Sequence, residues 1–361
     1  MTDLQHMARA LALAERGRAT TSPNPMVGAV IVDDEGVVIG RGSHEVAGGP
    51  HAEILAIADA GPRARGATLF CTLEPCSHTG RTGPCAPAVV AAGLRRAVVA
   101  MEDPNPLVSG RGIGMLRERG LAVSVGLLEA EARQLNAPFL TRVTRGRPQV
   151  TLKVALSADS QVGRAGGTPM RLTGAVADRR VHRDRAAVDA IAIGSSTLLA
   201  DDPRLTPRIA YRPRPLLRVV LDRRLRTPAT ARVFSTLQAG PVIIVTIGEA
   251  AASTRGVRLR DAGATLEVVD AGPSFLSEAL HRLAASGVSS LVVEGGPTLH
   301  AALWDQRLVD RVQMYVTRHQ VGPAGVPWFA TADAIAGQLE NLRRLVLGAD
   351  VLVEGDVHRA D

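Results

Sequence analysis

Two stretches constrain this chain more than any others: "HAEILAIADA" at 51–60 and "TLEPCSHTGRTGPC" at 72–85. The first opens with a histidine two positions ahead of a glutamate, directly after Pro50, where a helix start is expected. The second holds Cys76 and Cys85, and Cys85 opens a further helical pattern, "CAPAVVAAG". An HxE pair alone is common by chance, and two cysteines alone are most simply buried small side chains. Together, His51, Cys76 and Cys85 offer one nitrogen and two thiolates. That set suits a tetrahedral Zn²⁺ with its fourth position open to water. Two of the three stand at expected helix starts, where the helix dipole favours thiolates. Glu53 is close enough to relay a proton and is not needed as a ligand. His78, in the loop between the cysteines, is an alternative ligand ranked below His51. Cys71 precedes the motif in a strand and is expected only to pack.

The surrounding pattern alternates strands and helices, which implies an α/β layer structure. Residues 4–16 read as a helix and "MVGAVIVDDEGVVIGRG" as a hairpin around an acidic turn. "GATLFCTLEP" and "RRAVVAMED" read as strands, with a helix near 112–119. Gly110, Gly112 and Gly114 superficially suggest a dinucleotide fingerprint. Met115 stands where its third glycine belongs, so they are taken as a loop before that helix. A second region opens with "VTLKVALSA" and continues through "VDAIAIGSS", "RVVLD", "PVIIVTIG" and "SSLVVEGG". With 361 residues, two domains are expected, at 1–145 and 146–361.

Composition narrows the partners. The net charge of +7 would suit nucleic acid, but the arginines are dispersed and aromatics make up only 2%. No nucleic-acid or membrane partner is expected, whereas an anionic small substrate remains compatible. The N-terminal stretch lacks the uninterrupted apolar core of a signal peptide, no apolar run would span a bilayer, and a cytoplasmic location is expected. Three cysteines clustered in one segment suggest a metal site rather than a disulfide framework.

HxE followed by PC and a second cysteine is the signature of zinc deaminases, with the glutamate as general acid/base. Here eight residues separate the cysteines, where the commoner pattern has two. "SPNPMVGAVIV", "GGPHAEILA", "TLEPCSHTGRTGPC" and "EDPNPLVSGRG" resemble the deaminase domain of the bifunctional riboflavin biosynthesis deaminase/reductases. The likeness spans residues 4–140. It implies a cytidine-deaminase-like three-layer domain acting on 2,5-diamino-6-ribosylamino-4(3H)-pyrimidinone 5′-phosphate. By the same likeness, Asn24 and His44 line the pyrimidine pocket. Asn24 between two prolines reads equally well as a turn residue.

The second region has no Rossmann fingerprint. "AIGSST" and "LVVEGGPTLHAAL" could each hold a phosphate at a strand–helix turn, although a plain turn is the simpler reading. Lys153 is the chain's single lysine. Strand alternation places it with Ala155 and Ser157, opposite Leu152, Val154 and Leu156. "TLKVALSAD", "GSSTLLADDPRLTPR" and "VEGGPTLHAAL" resemble the reductase domain of the same family, similar in fold to dihydrofolate reductase. That implies NADPH-dependent reduction of the ribosyl group to ribityl, with Lys153 catalytic. It places Ala155, Thr197, Asp201 and Gly296, Pro297 and Thr298 against NADPH, and Arg185, Leu205, Arg208 and Glu294 against the phosphorylated substrate. Arg223 would pair with the cofactor's 2′-phosphate. Three positions depart from the family pattern. Ser160 replaces a glycine, Arg171 stands where a tryptophan often covers the cofactor, and Pro169 replaces a polar residue near the substrate phosphate.

A homo-oligomeric bifunctional enzyme is therefore expected. Rival readings are an active deaminase with a degenerate reductase, a zinc deaminase acting on RNA, and a scaffold with purely structural zinc. A fourth protein ligand would favour the last.

Overall fold

The structure, a computed structural model, describes residues 1–77, 83–105, 108–166 and 170–358. It divides into two compact units, Met1–Gly146 and Arg147–Asp361.

Among the described residues, the first unit runs α1 (Asp3–Ala14), β1 (Gly28–Val32), β2 (Val38–Ser43), α2 (Ala52–Ala60), β3 (Thr68–Cys71), α3 (Cys85–Ala91), β4 (Arg96–Val99), α4 (Arg111–Glu118), β5 (Ala122–Val125), α5 (Glu129–Leu135) and α6 (Ala137–Arg145). Its sheet has the order β2-β1-β3-β4-β5. β1 is antiparallel to both neighbours, and β3, β4 and β5 are parallel. Every residue of β1 and β3 is buried. Strands buried on both faces need a layer on each side, so helices sandwich the sheet.

Gly42 in β2 sets the seat of α2. A Cβ there would lie 1.9 Å from the Ala52 carbonyl oxygen. With only hydrogen present, the first turn of α2 rests on the strand, which places His51 and Glu53. The expected loop at Gly110–Gly114 is corrected: Gly110 is the N-cap of α4, and Gly112 and Gly114 lie inside it. A Cβ on Gly112 would lie 1.9 Å from the Pro75 carbonyl oxygen, so this glycine serves close packing within a helix.

The second unit, again among described residues, runs β6 (Gln149–Leu156), β7 (Gln161–Arg164), α7 (Ala175–Ala187), β8 (Ala190–Gly194), α8 (Ser195–Asp201), β9 (Leu217–Leu221), β10 (Val242–Thr246), α9 (Gly248–Ala252), α10 (Thr254–Asp261), β11 (Ala264–Val268), α11 (Phe275–Ala285), β12 (Ser290–Val293), α12 (Pro297–Asp305), β13 (Arg311–Val316), β14 (Gly325–Pro327), α13 (Ala332–Ala336), β15 (Leu339–Leu347) and β16 (Asp350–Val357). Its main sheet has the order β11-β10-β9-β8-β12-β6-β13-β16-β15. The run from β11 to β13 is parallel, and β16 and β15 close it antiparallel. Along β6, buried and half-buried residues alternate, with Leu152, Val154 and Leu156 buried and Lys153 and Ala155 half-buried. After β8 the chain turns to β9, whereas after β12 it crosses to β13 on the other side of β6. The chain therefore parts between β8 and β12, and such a switch point leaves a crevice at the carboxyl ends of the strands. Among the described residues, no helix is long and apolar enough to cross a membrane.

Candidate active sites

In the first unit, His51 is the N-cap of α2 and Cys85 the first residue of α3. His51 Nδ1 lies 3.2 Å from Cys85 Sγ and 3.5 Å from Cys76 Sγ. The Cys85 amide donates toward Cys76 Sγ at 3.3 Å. The ligand atoms of these three lie within 4.8 Å of one another, and among the described residues no fourth His, Cys, Asp or Glu joins them. The donor set fits a cation. Hydrogen bonding from Cys85, helped by His51, pulls Cys76 down to about 4 against the burial that opposes its charge. The same contact with Cys76, reinforced by burial, holds Cys85 well above the ordinary thiol range. One thiolate is held readily; a second calls for a positive charge between the sulfurs.

Glu53, on the first turn of α2, is 3% exposed, and burial pushes its carboxyl up to about 7. His44 Nδ1 lies 3.0 Å from the Pro50 carbonyl, to which it donates. Its Nε2 then accepts from Asn24 Nδ2 at 3.2 Å. Burial lowers the pKa of His44, which favours this neutral form. The His44 ring meets the His51 ring edge-on at 5.4 Å between centroids. Asn24, His44, His51, Glu53, Cys76 and Cys85 therefore form one neighbourhood.

In the second unit, the turns after β8 and β12 face each other. A Cβ on Gly295 would lie 3.3 Å from the Gly194 nitrogen, and one on Gly296 would lie 3.1 Å from Thr197 Oγ1. The result is a narrow cradle of backbone. α12 starts there, with Gly296 as N-cap and Pro297 at its first turn, so unbonded amides of a helix start are available to an anion. Lys153, on β6, has a side chain 17% exposed, with Nζ 3.9 Å from Glu294 Oε2 and 5.5 Å from the Tyr315 ring centroid. Burial lowers its pKa, and Glu294 opposes that shift. Glu294 accepts from Arg185 Nε at 2.7 Å and Nη2 at 2.6 Å. Burial would raise Glu294, but the charges of Arg185 and Lys153 outweigh it and hold the carboxyl at about 2.

Residues 1–101 match the cytidine and deoxycytidylate deaminase zinc-binding region, and residues 148–353 match the RibD C-terminal domain. Over 320 residues the chain is 38% identical to the riboflavin biosynthesis protein RibD of Aquifex aeolicus, covering 89% of this chain and 88% of that one. Against RibD of Escherichia coli it is 41% identical over 328 residues, 89% of each chain. The chain belongs to the RibD family. The solved structure of Acinetobacter baumannii RibD superposes with a TM-score of 0.85 at 35% identity, covering 99% of both chains. A Thermotoga maritima diaminohydroxyphosphoribosylaminopyrimidine deaminase/5-amino-6-(5-phosphoribosylamino)uracil reductase gives 0.83 at 31% identity, covering 98% of both. As a RibD protein, the chain is an enzyme of riboflavin biosynthesis that joins a zinc-dependent deaminase to an NADPH-dependent reductase.

Against this RibD frame, the reductase positions sort by their surroundings. Thr197, Gly296, Pro297 and Thr298 border the cradle, and Ala155 pairs in register with Tyr315 on β13. Asp201 ends α8 at the surface. Arg185 and Glu294 are engaged with each other, and Arg185 Nη1 also donates to the Thr206 carbonyl at 3.3 Å. Arg208 reaches His182, 3.5 Å away. Leu205 is 3% exposed, packed in the core with Ile193 and Val220, and has φ +55°, so it can present backbone rather than side chain. Arg171 pairs with Asp178 and donates to the Thr173 carbonyl at 3.2 Å. Arg223 donates to the Ala271 carbonyl, with its guanidinium 5.1 Å from the Phe275 ring centroid. The cation that reaches the cradle is Arg226, which sequence reasoning missed. It donates to Ser195 Oγ at 2.6 Å and Ser196 Oγ at 3.1 Å. Its only signal was a third arginine in "DRRLR". Ser160 takes a left-handed backbone, φ +58°, the region that favours glycine. Beside it, Asp159 accepts from Ser157 Oγ at 2.6 Å, Val321 N at 3.0 Å and Gly322 N at 2.8 Å, which fixes the turn. His78 and Pro169 lie outside the described residues.

Proposed function

We propose that the first unit hydrolytically deaminates 2,5-diamino-6-ribosylamino-4(3H)-pyrimidinone 5′-phosphate and that the second reduces the ribosyl group of the product to ribityl. The observation that carries this reading is the His51–Cys76–Cys85 group beside a buried Glu53, in a chain alike over its whole length to the Thermotoga deaminase/reductase. His51, Cys76 and Cys85 would hold the zinc, which when bound supplies water activation near neutral pH. Glu53, pushed up to about 7, can hold a proton on its carboxyl or release it, as transfer between water and a pyrimidine nitrogen requires. Asn24, oriented by His44, offers its amide to the pyrimidine edge.

In the second unit, NADPH supplies the reducing electrons, and the backbone of 194–197 and 295–298 with Ala155 and Asp201 would hold it. Arg226, and further out Arg223, would meet its 2′-phosphate. Lys153 would serve as the acid toward the reacting sugar, and Glu294 holds Arg185 and Lys153 in place from between them. Arg208 and the backbone of Leu205 would take the substrate phosphate. A degenerate reductase is the weaker reading, because a dead unit has no packing reason to keep three charges buried together.

A homo-oligomer is part of the proposal. β15 is an edge strand of nine residues that exposes Leu342, Leu345 and Val346, the last at 79%. A second copy pairing along this edge would satisfy its free backbone groups and bring its own side chains beside these apolar ones. A cytoplasmic location suits a site built on free thiols.

Glu53→Gln keeps shape and removes the basic carboxylate. Zinc should stay bound while deamination falls by at least ~100-fold. Loss of zinc in this variant would show Glu53 to be a ligand and overturn its assignment.

A further inference from the structure

Glu74, in "TLEPC", lies two residues ahead of Cys76 and is 3% exposed. Nothing in the chemistry described above uses it. Its carboxylate is bound by four peptide N–H groups of one distant segment. Oε2 accepts from Asp103 N at 3.2 Å and Gly110 N at 3.0 Å, and Oε1 from Gly112 N at 2.8 Å and Ile113 N at 3.2 Å. Gly112 and Ile113 begin α4, whose first-turn amides have no partner within their own helix. A side chain from the turn after β3 therefore caps a helix that follows β4. The main chain adds to the contact: Glu74 N donates to the Met101 carbonyl at 3.0 Å, and Gly112 packs on the Pro75 carbonyl with no room for a Cβ.

Placement gives this contact a consequence. β3 and β4 are parallel neighbours, so the segments after them leave the sheet side by side at its carboxyl edge, where α/β sites form. One of these segments carries Cys76. The other, from Asp103 to Ile113, is anchored at both ends on Glu74. Asp103 continues the order inward, its Oδ1 accepting from Asn105 N at 2.9 Å. We propose that Glu74 is a positioning residue of the deaminase: by clasping Asp103 and the 110–113 backbone to the Cys76 turn, it gives the pyrimidine a fixed wall beside the zinc group. A carboxylate is required because both oxygens must accept. A glutamine would accept at one oxygen and present an N–H₂ group to the other pair of amides. The inference rests on the deaminase reading above.

The test uses the full-length chain carrying Glu74→Gln, and separately Gly112→Ala, which pushes the same segment off Pro75 without touching charge. Zinc content, steady-state deamination of the diaminopyrimidine phosphate, and hydrogen exchange of the amides of Asp103 and 110–113 are measured. Retained zinc and kcat report that the first unit, which carries both substitutions, is folded. Both variants should keep zinc and most of kcat, raise KM about tenfold, and exchange faster at 110–113. An unchanged KM in both variants, with or without loss of thermal stability, overturns the proposal, as does a loss of activity that only tracks lost zinc. Glu74→Asp should recover part of the KM, which general destabilisation does not predict. If the wild-type chain does not deaminate this substrate, the functional reading fails. The exchange data then decide the clasp: unchanged rates at 110–113 in the variants overturn it.

Discussion

Replacing Glu294 with glutamine removes the one negative charge between Arg185 and Lys153. The carboxyl is held at about 2, against 4.5 for an unperturbed group. That gap, at about 1.36 kcal/mol per pH unit, makes the ionised form worth about 3 kcal/mol to the folded second unit at pH 7. The variant also leaves two cations, 15% and 17% exposed, without their carboxylate. Breaking a buried pair in this way costs about 3–5 kcal/mol, the same effect seen from the other side. Because the folded value is depressed, the contribution is complete above pH 4.5 and is lost as pH falls toward 2. Both tryptophans, Trp304 and Trp328, belong to the second unit, so their fluorescence during urea denaturation reads that unit alone. The stability difference between wild type and variant should be about 3 kcal/mol at pH 7, equal at pH 5.5, and clearly smaller at pH 3.5. A difference below about 1 kcal/mol at pH 7, the level of an exposed pair, or one that does not change with pH, would refute the argument.

Cys85→Ala should abolish stoichiometric zinc and deamination together while reduction of the deaminated intermediate continues; metal analysis with separate assays of the two half-reactions decides, and full zinc retention with normal turnover contradicts the ligand set. Arg226→Ala should weaken NADPH binding about tenfold in calorimetry and leave NADH unchanged, as expected from losing a charge-assisted bond to a phosphate. A larger effect from Arg223→Ala would move that contact back to Arg223.

The zinc group was legible because its chemistry is local. A histidine at a helix start and a cysteine opening the next helix leave their mark in consecutive residues, and the structure brings both within reach of Cys76. The alternation along β6 likewise reads directly from "TLKVAL". Contacts between distant segments left no such mark. Glu74 looks like one more residue before a proline, and only the pairing of β3 with β4 brings it under α4. Arg185 and Glu294 were read as two substrate contacts, whereas their separation of 109 positions hides that they bind each other. Glycines were misread for a related reason. Once the fingerprint fails at Met115, nothing local distinguishes Gly112 from a loop glycine, yet it lies within a helix pressed against a carbonyl. β15 escaped notice because a charged, exposed edge strand shows no buried face to alternate against.

Product identification tests the central claim most directly. The purified chain, loaded with zinc, is given synthetic 2,5-diamino-6-ribosylamino-4(3H)-pyrimidinone 5′-phosphate and NADPH, and the products are resolved by mass spectrometry. Ammonia release, NADPH consumption and one product that is both deaminated and carries a ribityl chain are expected. Accumulation of a deaminated but unreduced pyrimidine, with NADPH unspent, would contradict a working reductase, and recovery of unaltered substrate would contradict the reading as a whole.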